Sequence, residues 1–93
     1  MNPKRNLEDN PRIEENTQAG KDYMLILHND DIHDFNFVID ALIEVCEHNI
    51  VQAEQCTYLV HYSGSCDVKK GKYSVLKEMY DGLIDKGLVV SLN

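Results

Sequence analysis

No stretch of the chain approaches the ~20 continuous apolar residues that a membrane-spanning helix requires, and the opening Met1-Asn2-Pro3-Lys4-Arg5 runs into polar residues instead of the apolar segment of a signal peptide. A cytoplasmic location is therefore expected. Positive charge is scarce: nine Lys and Arg stand against sixteen Asp and Glu, for a net charge of −7. Nucleic acid and anionic membrane surfaces would be repelled, which excludes both as main partners, whereas basic peptides and amino groups would be attracted. Cysteine is limited to three residues, an odd number that suits a reducing compartment better than a disulfide framework. Cys46, Cys56 and Cys66 contain no C-x-x-C pair, so together with the four histidines they do not read as a zinc site. Buried helical thiols are the ordinary reading. Glycine-rich phosphate loops, internal repeats and low-complexity segments are also missing, and no metal or cofactor is implied. Ninety-three residues with 43% apolar content fill one small core and leave no room for a second.

Residues 1–22 hold both prolines and only scattered apolar side chains, too few to order the segment, so a flexible N-terminal tail is expected ahead of a domain over 23–93. Tyr23-Met24-Leu25-Ile26-Leu27-His28 is a short apolar run that predicts a mostly buried strand, ended by the polar Asn29-Asp30-Asp31 turn. Asp34 is a candidate N-cap for the helix that follows, where Phe35, Val38, Leu42 and Val45 recur at helical spacing and Ile39 and Cys46 widen the apolar face. A second helix is expected over residues 51–62, with Ala53, Cys56, Leu59 and Val60 as its buried stripe and Gly64 as its stop. Residues 65–68 are β-compatible and Lys69-Lys70-Gly71 reads as a turn. A third helix is expected over 73–86, stopped by Gly87, and a last strand over 88–92. The order strand, helix, helix, strand, helix, strand implies an α+β fold with helices packed on a small sheet.

The feature richest in chemistry is Asn29-Asp30-Asp31 combined with His61 on the last turn of the second helix. An ammonium has three donors and needs acceptors on several sides; an amide oxygen, two carboxylates and a neutral imidazole supply them. An unperturbed imidazole titrates near ~6.5, so a site of this kind is expected to weaken below about pH 6.

Three motifs with the right distances between them, HNDD at residues 28–31, FVIDAL at 37–42 and VHYSG at 60–64, resemble the ClpS family of adaptors, and the likeness resumes at LVVSL over 88–92. That resemblance implies three helices on a three-stranded antiparallel sheet. It also implies a non-enzymatic, monomeric adaptor that grips N-degrons, proteins whose first residue is bulky and apolar, and delivers them to a ClpA-type or ClpC-type AAA+ unfoldase of the Clp protease. Carried across by motif, the ammonium site falls on Asn29, Asp31 and His61 with Asp30 in the same turn, and the side-chain pocket on His33, Phe35, Val38, Thr57, Val60 and Val89. Thr57 and Phe35 stand where methionines are frequent in the family, His33 where threonine is common, and Asp34 where proline is usual. The tail resembles the extension that helps the unfoldase engage its adaptor.

Two other classes compete. The same element order is shared with the C-terminal domain of the bacterial ribosomal stalk protein, a protein-interaction domain without the Asn-Asp-Asp turn and facing histidine. A Cys–His nucleophile would need Cys56 or Cys66 with His61, but Cys56 and His61, five apart on one helix, diverge by about 140°.

Overall fold

Alternation of buried and half-buried side chains builds the first strand, in which Leu25 and Leu27 are fully enclosed while their neighbours are partly open. The computed structural model describes residues 20–93, so residues 1–19 of the expected tail lie outside the described residues. Strand β1 (Tyr23–His28) leads through the Asn29–Asp34 connection into helix α1 (Phe35–Cys46), then helix α2 (Ile50–Ser63), strand β2 (Ser65–Gly71), helix α3 (Tyr73–Asp85) and strand β3 (Val89–Leu92). The sheet order is β2-β1-β3, with central β1 antiparallel to both neighbours. The α+β arrangement of three helices and a three-stranded antiparallel sheet is therefore the one expected.

Local chemistry fixes the helix ends. The Asp34 carboxylate accepts from the Phe37 N–H at 2.9 Å, opening α1. Asn49 and Gln52 cap each other reciprocally at 2.8 and 3.0 Å and start α2 at Ile50, one residue before the sequence pattern suggests. Gly64, at φ +95°, takes the left-handed conformation that closes α2, with its N–H on the Val60 carbonyl at 3.0 Å. Gly87, at φ +85°, does the same after α3, where the Leu88 N–H reaches the Leu83 carbonyl at 3.1 Å.

Leu25, Leu27, Leu42, Leu76 and Leu83 are enclosed completely and form the centre between sheet and helices; each contributes about 2 kcal/mol by burial. Gly82 serves close approach: a β-carbon there would stand 2.8 Å from Val45 Cγ1, so α3 lies hard against α1.

Three expectations need correction. Leu59, expected in the buried stripe of α2, is 50% exposed, because the buried face of that helix runs through Ala53, Cys56, Thr57 and Val60. Lys69-Lys70-Gly71 is no turn; these residues pair with Leu25, Met24 and Tyr23 and extend β2 by three residues. Lysines on a sheet's edge strand discourage further pairing, and that placement hides the strand behind a turn-like composition. Nor are all three cysteines free: Cys56 on α2 and Cys66 on β2 are joined as a disulfide, with Cα atoms 5.7 Å apart, and only Cys46 remains a buried thiol. Cysteines ten residues apart meet because Gly64 folds β2 back along α2.

Strand β2 also carries an irregularity. Leu25 pairs with Lys69 and Ile26 with Asp67, so Val68 is an extra residue without a Cα partner in β1. The His48 Nε2–H donates to the Val68 carbonyl at 3.0 Å, since a carbonyl can only accept.

Candidate binding site

The end of β1, the start of α1 and the end of α2 meet at one point. The Asn29 N–H donates to the Gly64 carbonyl at 2.9 Å, tying the turn after β1 to the C-cap of α2. His61 lies on the last turn of that helix. A hollow opens there, lined by Asn29, His33, Asp34, Phe35, Val38, Thr57, Val60 and His61. Its free space is about 20 Å³, enough for one water-sized guest.

Aromatic edges set the shape of its mouth. The Phe35 ring meets His61 edge-on at 5.0 Å and Tyr58 edge-on at 5.2 Å, while His61 also meets Tyr62 at 4.7 Å and an interplanar angle of 89°. Tyr58 and Tyr62, one turn apart, stack at 5.7 Å on the exposed side. The imidazole of His61 is thus oriented between two rings. At the base, Val38, Thr57 and Val60 are buried, and the Thr57 hydroxyl is satisfied by the Ala53 carbonyl at 2.7 Å. The walls are apolar below and polar above, the composition of a site that orients a partly apolar guest by a few polar contacts.

The two carboxylates of the turn behave differently. Asp30 folds back on its own turn, accepting from the Ile32 N–H at 2.8 Å and the His33 N–H at 2.9 Å, and pairing with His33 Nδ1 at 3.1 Å. Partial burial raises its pKa, but the His33 and Ile32 amides and the His33 imidazole outweigh that and hold it below the ordinary carboxylate value. The same contact fixes the His33 ring, which stacks on Phe37 at 4.6 Å. Asp31 is exposed.

Seven of the ten residues singled out in the sequence line the hollow: Asn29, His33, Phe35, Val38, Thr57, Val60 and His61. Asp30 and Asp31 are in the adjoining turn but outside the lining, and Val89, 48% exposed on β3 beside His28, is also outside it. Asp34, Tyr58 and Tyr62 were not among the ten. From the sequence Asp34 reads only as a cap, and Tyr58 and Tyr62 sit outside the buried helical stripe, so no periodicity singles them out.

The hollow offers hydrogen-bond acceptors and a slot, and no cysteine is in its lining. Burial pushes the Cys46 thiol up to about 11, and Cys56 is bonded to Cys66. Among the described residues, no group of three or more His, Cys, Asp or Glu side chains is placed to hold a metal ion. No helix of the described residues is long and apolar enough to cross a membrane.

Residues 18–90 match the family described as ATP-dependent Clp protease adaptor protein ClpS. The chain belongs to the ClpS family. Its members are protease adaptors, not enzymes, and work with the AAA+ unfoldases of the Clp protease. No curated protein matches the chain. Among solved structures, ClpS2 of Agrobacterium tumefaciens bound to L-phenylalaninamide has the same fold, with a TM-score of 0.68 and 24% identity over 78% of this chain and 95% of that one.

Proposed function

We propose that this chain is an N-degron adaptor that holds the free α-amino group and the apolar first side chain of a client protein in the hollow between α1 and α2. The observation that carries this reading is the convergence of Asn29 and His61 with Phe35, Val38, Thr57 and Val60 around one opening. The Asn29 amide oxygen and the neutral His61 imidazole accept from the ammonium, and Asp31 adds an exposed carboxylate beside them. Asp30 supports the turn and sets His33. His33, Phe35, Val38, Thr57 and Val60 enclose the side chain, while Val89 bounds the neighbouring surface. L-Phenylalaninamide, the molecule bound by the Agrobacterium relative, joins a free amine to an apolar side chain, the same combination.

A hollow of about 20 Å³ cannot take a leucine or phenylalanine side chain as it stands, so the guest must displace something. Phe35 is the side chain to move: it is half-buried, sits at the first turn of α1 and meets the rings of Tyr58 and His61 edge-on. Burial of the guest side chain contributes about 1.5–3 kcal/mol and each charged hydrogen bond about 1.5–3 more, against several kcal/mol for association and for moving Phe35. The result is roughly micromolar affinity, suited to cargo that is handed on. The adaptor works as a cytoplasmic monomer, delivers its cargo to a ClpA-type or ClpC-type unfoldase, and uses residues 1–22 in that delivery; peptide affinity is expected to survive removal of the tail.

The test is a titration with short peptides that differ only in residue one, each with a free and an acetylated amine. Binding of Leu-first or Phe-first peptides that disappears on acetylation supports the reading. Equal binding of acetylated peptides sinks it and favours a stalk-like interaction domain.

A further inference from the structure

The other flank of α2 carries a larger opening of about 240 Å³, lined by Gln52, Gln55, Cys56 and Leu59 from the helix and by Cys66 and Asp67 from β2. Both bonded cysteines border it. We propose that Cys56 and Cys66 form a reversible thiol–disulfide site, exchanged through this groove by a low-molecular-weight thiol and its disulfide, that locks α2 to β2 behind the binding hollow.

Four observations converge. The Cα separation of 5.7 Å is the usual one for a disulfide, so the bond fits this backbone as it stands. The groove gives an attacking small thiol a route to sulfurs that are otherwise 4% and 8% exposed residues of the core. When reduced, the Cys66 thiol has the Asp67 carbonyl 3.4 Å away as an acceptor, so that donor is not stranded. Cys46, the third cysteine, is enclosed and stays protonated, so the pair exchanges without scrambling.

The chemistry balances. One thiolate of the pair attacks a sulfur of the small disulfide and expels one small thiol; the second then attacks the mixed disulfide and expels another. Two S–H bonds and one small S–S bond are lost, one protein S–S bond is gained, and both protons leave on the released thiols. Reduction by the small thiol runs the same steps in reverse and opens the lock, and oxidation closes it. Cys56 immediately precedes Thr57 and lies one turn from Val60, both of which line the hollow. Closing the lock therefore pre-sets that wall, a coupling that rests on the adaptor reading.

The full chain, equilibrated folded across a series of reduced-to-oxidised glutathione ratios, acid-quenched, alkylated and mapped by mass, tests the site directly. Cys56 and Cys66 are expected to lose alkylation together as the chain becomes lighter by two hydrogens, with its melting temperature about 10 °C or more higher. Cys66→Ser and Cys56→Ala should each abolish that rise. A folded chain that forms no internal bond, or one whose melting is unchanged by it, overturns the proposal. The locked form should also hold a Phe-first peptide about threefold more tightly through preorganisation. Equal binding in both forms overturns the coupling to the hollow. A lack of binding in either form counts instead against the adaptor reading, while mass and melting still judge the lock.

Discussion

The two flanks of α2 differ in a way that volume alone would misjudge. On one side Thr57, Val60 and His61 face a hollow of about 20 Å³; on the other, Cys56 and Leu59 border a groove of about 240 Å³. The larger opening has two glutamines, an aspartate, the His48 imidazole and a bonded sulfur pair around it, but that imidazole is already engaged with the Val68 carbonyl at 3.0 Å. The smaller one draws an amide, an imidazole and an apolar base from three different elements to one point. The proposed site rests on the buried base of Val38, Thr57 and Val60 beneath Asn29 and His61, and free space is secondary in that proposal because half-buried Phe35 would yield it.

Experiments that treat the flanks separately sharpen this contrast. The largest effect belongs to the small hollow: His61→Ala and Asn29→Ala should each weaken a Leu-first peptide at least tenfold by calorimetry, since each removes a charge-assisted hydrogen bond of about 1.5–3 kcal/mol. Next, Thr57→Met should fill the base of the hollow and narrow the set of accepted first residues, while Phe35→Ala should open it and admit Ile-first and Val-first peptides. Smaller still, Asn49→Ala at the far end of α2 should cost about 1 kcal/mol of stability in denaturant melts and leave peptide affinity alone. If Asn49→Ala disturbed binding as much as His61→Ala, the flanks would not be separable.

Asp30 gives the least effect and a defined sign. Its folded pKa lies below the ordinary value, so the stability it supplies is present above the unfolded value of about 4 and is lost as the pH falls through the lower folded one. Asp30→Asn should therefore flatten the acid limb of the stability curve below about pH 4. An unchanged acid limb would mean that the turn holds His33 without help from the charge.

Much of this was legible from residues that act locally. Asp34, Gly64 and Gly87 end or start helices through their own side chains or their own φ, so the sequence displays them directly. Asn29 and His61 were legible only jointly, through motif spacing, because nothing about an isolated Asn or His reveals that the Gly64 carbonyl will bind the Asn29 N–H. What stayed hidden depends on partners distant in the chain. Lys69, Lys70 and Gly71 become strand because Tyr23, Met24 and Leu25 offer them a ladder, an influence no local composition reports. Cys56 and Cys66 meet only once β2 has folded back along α2, and Tyr58 gains its role from Phe35, twenty-three positions away.

The unpaired Val68 acts as a phase shifter for β2. Opposed residues of an antiparallel pair share a face of the sheet, and the extra residue lets Cys66 stand opposite enclosed Leu27 while Asp67 stays in solvent. With Val68 deleted and the Leu25–Lys69 pairing kept, Asp67 is the residue next to be tried against Ile26 as now, but continuous pairing that retained Val68 without a bulge would set Asp67 beside Leu27 and turn the Cys66 sulfur to the wrong side. One out-of-step residue, pinned by the His48 imidazole, thus decides whether a carboxylate or a sulfur looks inward toward α2.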